Sequence, residues 1–238
     1  MEPRTCAVDA GVFARFPDYL RGVVVAHGVR NGPSSPELVD LLRAAEASVR
    51  ERIQPEEIAA HPRIAAWRAA FKALGIKPND FRCSVEAMAR RALKGQQLPS
   101  INALVDIGNL LSLRHLVPVG GHAIDHAVQG YCLRPATGLE VFVPFGTDQP
   151  EHPDPGEIIY AEGDTVLCRR WTWRQANHSL TLAETTAVQF NLDGLPPVTR
   201  AGLEAIGAEL AELVARHCGG EIRQGMLSAA QPGLSMEP

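Results

Sequence analysis

Between Pro99 and His126 the chain reads PSINALVDIGNLLSLRHLVPVGGHAIDH, an apolar helix running into a glycine pair, and no other stretch restricts the fold as much. Pro99 and Ser100 sit where a helix start and N-cap belong, and apolar residues dominate as far as Leu113. At 100° per residue, Asn102, Asp106 and Asn109 fall within a sector roughly 60° wide. Ile101, Leu104, Val105, Ile107, Leu110 and Leu111 would bury the rest of such a helix. A buried amide or carboxylate left unpaired costs about 1–3 kcal/mol, so the stripe must find partners. Two readings stay open: the stripe bonds neighbouring loops, or it lines a ligand pocket together with the loop after the helix. There Pro118, Gly120 and Gly121 allow close backbone approach, and His122, Asp125 and His126 come next.

The patterns on either side fix the class. Residues 21–29, RGVVVAHGV, are β-branched and read as a buried strand. Ser34-Ser35-Pro36-Glu37 opens a helix whose Leu38, Leu41, Leu42, Ala45, Val49 and Ile53 share a face. A second helical stretch from Pro55 breaks at His61-Pro62 and resumes through Ile64, Trp67, Phe71 and Leu74 to Gly75. Lys77-Pro78-Asn79-Asp80 is a turn, and Ser84 is placed to cap a short helix ending at Gly95. Beyond the central helix the period becomes two. Strands are expected at Tyr131–Arg134, Leu139–Phe145, Glu157–Tyr160, Thr165–Trp173 and Thr186–Leu192, with Leu139, Val141, Val143 and Phe145 on one face. Leu203, Ile206, Leu210, Leu213 and Val214 mark a closing helix, and residues 223–238 read as a mobile tail. Helices, then strands, then a helix imply an α+β fold with mixed or antiparallel sheets. Residues 1–75 read as the N-terminal strand and helical part of the same globular unit as the core, 76–222.

Composition narrows the function. A net charge of −4 over 238 residues argues against a protein that coats nucleic acid, and DNA is not an expected partner. Local basic groups exist at Arg90, Arg91 and Lys94, and again at Arg169 and Arg170; each is either a solvated face or a grip on phosphates. No apolar run approaches the ~20 residues needed to span a membrane. The first residues lack a signal-peptide core, and the five cysteines form no C-x-x-C pair, so a cytoplasmic protein without disulfides or a cysteine zinc site is expected. P-loop, dinucleotide and nucleophile-elbow motifs are missing. His122 and His126 have metal-pair spacing, but the preceding glycines disfavour a helical frame, and no metal or other cofactor is expected. Cys83 and Cys168 read as buried thiols.

In order along the chain, three stretches resemble one family. FRCSVEAMARRALKGQQLPSIN, NALVDIGNLLSLRHLVPVGGHAID and GEIIYAEGDTVLCRRWTWRQANHSLTLAETTAVQFNLDG are similar to the B3/B4 editing domain of the phenylalanyl-tRNA synthetase β subunit, over about residues 75–217. The resemblance implies a B3/B4-type architecture with a helical N-terminal extension, standing free of the other synthetase modules. It implies hydrolysis in trans of mischarged aminoacyl-tRNA, since a site selecting an apolar side chain rejects near-isosteres weakly and errors need a second sieve. Partners would be the aminoacylated 3′ end of tRNA and its amino-acid moiety. No metal or covalent intermediate is implied: a water held by backbone and polar groups does the work, with the tRNA's own hydroxyl available to assist.

Carried over by residue, His122 stands at the family's pocket histidine and Asn109 at its helix asparagine, the two groups expected at the chemistry. Asn102, Asp106, Gly120, Gly121, Gln175 and Asn191 would bind substrate or support it, and Arg90, Arg91, Lys94, Arg169 and Arg170 would hold tRNA. Asn191 falls where the family places a glutamate that recognises the tyrosine hydroxyl; an uncharged amide there does not carry tyrosine specificity over. The alternative is a module that binds tRNA, other RNA or an amino acid without hydrolysing it.

Overall fold

The computed structural model describes residues 4–238. In chain order the elements are β1 (Thr5–Val8), α1 (Ala10–Arg15), β2 (Leu20–His27), α2 (Pro36–Arg52), a 3₁₀ turn at Ile58–Ala60, α3 (Pro62–Ala73), α4 (Ser84–Leu93), α5 (Ala103–His115), β3 (Val119–Ala123), β4 (Tyr131–Pro135), β5 (Ile158–Glu162), β6 (Thr165–Arg169), β7 (Arg174–Gln175), β8 (Ala187–Gly194), α6 (Arg200–His217), β9 (Glu221–Leu227) and β10 (Gly233–Ser235). The strands form two sheets, ordered β10-β1-β4-β5-β6-β7 and β3-β8-β2-β9. The first is mixed, because β1 runs parallel to β4 while its other pairs are antiparallel. The second is wholly antiparallel. The α+β class with mixed and antiparallel sheets is therefore observed.

Local chemistry explains the ends of the helices. Ser35 Oγ accepts from Leu38 N ahead of Pro36, so α2 starts as its sequence dictates. Thr199 Oγ1 accepts from Gly202 N and opens α6 in the same way. α5 begins later than Ser100 suggested. Its N-cap is Asn102, whose Oδ1 accepts from Val105 N at 3.0 Å. Likewise α4 is preceded by Cys83 as cap residue, with Ser84 already helical and Cys83 making no side-chain cap bond. The bend after α5 falls on Leu116 in the left-handed region (φ 50°), not on the glycines, which lie in strand β3.

Alternation in the four-stranded sheet decides what each face does. Val24, Phe190 and Leu192 turn toward α5 and α6: a Cβ on Gly108 of α5 would meet Phe190, and one on Gly207 of α6 would meet Val24. The opposite face carries Arg21, His122, Gln189, Asn191 and Asp193 in register, with Arg21 across from Asp193, Gly120 from Asn191 and His122 from Gln189. This polar face meets the six-stranded sheet, where Gln189 Nε2 donates to Tyr160 Oη at 2.7 Å.

Two expectations are overturned here. Residues 139–145 form only isolated bridges, and their faces are inverted: Phe142 and Glu140 are buried while Leu139, Val141 and Phe145 are exposed. Glu140 is drawn in because its carboxylate accepts from the backbone N–H groups of Thr137 and Gly138 and pairs with Arg134. Residues 223–238 are not a loose tail. β9 pairs along β2, β10 pairs with β1, Met236 is fully buried and Glu237 bonds Arg4.

Candidate functional site

A cavity of about 180 Å³ opens between the polar face of the β3-β8-β2-β9 sheet and the other sheet. Cavities of ~150 Å³ hold a benzene ring, so an amino-acid side chain fits this one. Several elements meet there. β3 brings Gly120 and His122, α5 brings Asn109, β8 brings Asn191 and Asp193, and the 170–175 turn brings Trp171, Trp173 and Gln175. Two consecutive residues of that turn, Arg170 and Trp171, have φ of 45° and 65°. Left-handed backbone costs about 1–2 kcal/mol per non-glycine residue. Trp171, packed edge-on against Phe16, Tyr19 and Trp67, holds the turn in that shape.

His122 is 5% exposed. Its Nδ1 lies 2.7 Å from Ser179 Oγ and its ring packs edge-on against Tyr160 at 5.0 Å. Burial, aided by the charge of Arg21, lowers its pKa to about 3, so the imidazole is neutral at physiological pH. Gly120 leaves Nε2 unobstructed: even a methyl group there would stand 3.9 Å away. Asn191 Oδ1 accepts from Gln189 Nε2 at 2.7 Å. Gln175 Nε2 donates to Gly121 O at 3.0 Å and so ties the turn to β3. Cys168 also lines the cavity, and burial pushes its thiol up to about 12, as it does for Cys83 elsewhere; neither is a thiolate at neutral pH.

The polar stripe on α5 divides. Asn109 lines the cavity, but Asn102 and Asp106 do not. Asn102 caps the helix and donates from Nδ2 to Thr181 O at 2.8 Å. Asp106 accepts from Ser34 Oγ at 2.6 Å, from Ile101 N at 3.1 Å and from Ser100 Oγ at 2.5 Å. Of the two readings open for the stripe, loop bonding holds for two residues and pocket lining for one. Gly121 makes its contact with Phe190 beneath the sheet.

The basic groups are more occupied than their sequence suggested. Arg169 is buried against Glu157 at 2.8 Å and Glu151 at 2.9 Å. Arg170 stacks over Phe81 at 3.8 Å and Trp173 at 4.7 Å. Arg90 Nε reaches the fully buried Glu86 at 2.8 Å, which Arg68 also holds. Arg91 Nε bonds Gln97 O at 2.9 Å but stays exposed. His122 and His126 line different hollows and do not converge. Among the described residues no helix is long and apolar enough to cross a membrane.

Sequence reading missed Arg21, Tyr160, Trp171 and Asp193. Arg21 is 1% exposed. Its Nε donates to Tyr19 Oη and Asp193 Oδ1, each at 2.9 Å, and its guanidinium lies 4.7 Å above the Tyr160 ring. Burial is the largest influence and opposes its charge, but Asp193 together with Tyr19, Tyr160 and Cys6 more than offsets it and holds the pKa well above the ordinary arginine value. The one signal available was a charge flush against the β-branched run Val23-Val24-Val25; its partner stands far along the chain and only strand pairing reveals it.

A family model for the B3/4 domain matches residues 66–219. Among solved structures, the chain is similar to an N-terminal fragment of the phenylalanyl-tRNA synthetase beta-subunit from Pyrococcus horikoshii, with 12% identity and a TM-score of 0.45 over 91% of this chain and 49% of that one. The chain thus spans about half the length of that fragment. No curated protein matches the sequence. The segment that the family model matches contains Asn109, Gly120, His122 and Asn191, and with that match over more than half its length the chain belongs to the B3/4 domain family.

Proposed function

We propose that this protein hydrolyses, in trans, the ester that joins an amino acid to the terminal ribose of mischarged tRNA. One observation carries the reading: Asn109, Gly120, His122 and Asn191 line a single cavity of side-chain size. In the reaction, water adds to the ester carbonyl, the bond to the ribose oxygen breaks, and that oxygen takes a proton, releasing a free amino acid and an intact tRNA end. A neutral imidazole is no general acid for the leaving ribose oxygen, so that oxygen takes its proton from the attacking water. His122 instead orients the water or the carbonyl through Nε2, while Ser179 fixes its ring. Asn109 and Asn191 supply amides to the bound aminoacyl group, and Gly120 gives the ester room to approach β3. The terminal nucleotide lies across the rim, where Trp173 is stacked on Arg170.

The test is deacylation of a panel of misacylated tRNAs by the purified full chain. Turnover is expected for at least one non-cognate pair, with His122→Ala and Asn109→Ala each slowing it at least ~10-fold, short of the ~10²–10⁴ typical of full acid–base roles. Release no faster than in buffer, for every pair, rejects the reading. A module that binds without hydrolysing is the second reading, favoured by the uncharged Asn191 lining the cavity where the resembled family places a glutamate. Tight binding of charged tRNA without turnover supports it.

A further inference from the structure

Of the buried polar side chains around the cavity, Arg21 has the most hydrogen-bonding capacity to spare. A guanidinium carries five N–H donors. Here Nε makes both contacts, to Tyr19 and Asp193, while Nη1 is buried without a partner. A purely structural pair pinning β2 to β8 would favour the forked, two-point contact that arginine and carboxylate form readily. The single-point contact through Nε leaves the far end of the fork unused, and an unsatisfied charged donor is costly to bury. Arg21 lines the cavity. The charges around it are unequal, two arginines (Arg21 and Arg174) against one carboxylate, Asp193. His122 and Cys168 add no charge, since both are neutral at physiological pH.

We propose that Arg21 is a carboxylate-receiving site at the base of the cavity, using the guanidinium nitrogens that Asp193 leaves free. Charge-assisted hydrogen bonds of this kind are roughly twice as strong as neutral ones. Two sources present the group at this place. One is the side chain of an acidic aminoacyl group on the tRNA end, a case that rests on the hydrolysis reading. The other is the α-carboxylate of a free amino acid, which does not.

Calorimetric titration of the full chain separates them. The probes are adenosine carrying glutamyl, glutaminyl or phenylalanyl through a non-hydrolysable 3′-amide, together with free glutamate, free phenylalanine and glutarate. They are measured against wild type, Arg21→Gln, and the paired variant Arg21→Met/Asp193→Leu, which leaves no stranded charge and keeps the comparison available if the single variant does not fold. The glutamyl amide is expected to bind wild type at least ~10-fold tighter than the phenylalanyl amide, a preference that both variants erase. If both free amino acids bind in an Arg21-dependent way while the amides show no preference, the carboxylate site stands and its source is the free amino acid. If the amides bind without preference and no free carboxylate binds, the site is overturned and the hydrolysis reading survives. If carboxylates bind and no amide does, the hydrolysis reading falls alone. No binding of any probe overturns both.

Discussion

His122 owes its state to its surroundings, and that makes the pH dependence of folding a direct report on it. Its folded pKa of about 3 lies below the ordinary histidine value of 6.5. The unfolded chain therefore takes up a proton near pH 6.5 that the folded chain refuses, so stability falls as pH drops through and below that point. The window runs from pH 6.5 down toward 3. Between pH 8 and pH 5 this one residue should remove about 2 kcal/mol, because each pH unit below 6.5 costs about 1.4 kcal/mol for one refused proton. Denaturant unfolding at the two pH values checks it: wild type loses about that much more than His122→Gln, whereas equal losses would place the ring in contact with bulk water. Residue types in this region were legible in the sequence, but their partners were not. Asn102 and Asp106 were correctly read as polar groups on a buried helix. What claimed them was the nearest backbone and two serines, a competition that no periodicity encodes. Arg21 shows the reverse: the residue nearest to ligand chemistry looked like the charged end of a strand, because its meaning depends on β8, paired to it only in space.

At the scale of elements, strand β3 makes two adjacent glycines do different work. A Cβ on Gly121 would meet Phe190 Cε1 at 3.0 Å, on the face packed against α5. A Cβ on Gly120 faces the cavity and meets nothing closer than His122 Nε2 at 3.9 Å. Gly121→Ala should therefore destabilise the fold by about 1–3 kcal/mol through overpacking. Gly120→Ala should leave the melting temperature within about 2 °C of wild type yet weaken binding of aminoacyl-adenosine mimics several-fold. Thermal melts beside calorimetry separate the two, and a destabilised Gly120→Ala would show that the cavity face is tighter than its geometry indicates. Helix α4 gives a second division. Arg90 is held by Glu86, whereas Arg91 and Lys94 are both exposed. If tRNA lies along this helix, Arg91→Ala with Lys94→Ala should lower the slope of log K against log salt by about 2, near one per phosphate contact. An unchanged slope returns both to ordinary solvated surface. The helices α2 and α6 were legible because caps and apolar spacing coincide in them. Residues 139–145 were not, since alternation gives the period of a strand without saying which face a buried carboxylate will drag inward.

The molecule as a whole extends beyond its recognisable part. The family match covers residues 66–219, yet the central strand pairing of the cavity sheet is β2 against β8 and β9, and two of those three strands lie outside the match. β1 and β10 likewise join the chain ends, with Met236 buried between them and the core and His27 Nε2 bonded to Met236 O at 2.8 Å. Removing residues 1–65 and 220–238 would strip β8 of its inner neighbour, leave a long apolar strand edge open, and expose the faces of α5 and α4 that α2 covers. The excised segment 66–219 should therefore be insoluble or unfold without a cooperative transition, and it should lose the cavity floor that Arg21 supplies. Within the intact chain, Met236→Ala should cost about 2–5 kcal/mol, as truncating a fully buried side chain does. Circular dichroism and denaturant titration of both proteins decide the matter. A soluble, cooperatively folded 66–219 that still binds aminoacyl-adenosine mimics would mean that the flanking strands are an accessory layer and that β2 has no part in the site. A destabilised Met236→Ala beside an unfolded 66–219 would instead show that the two ends of the chain complete the sheets on which the cavity is built.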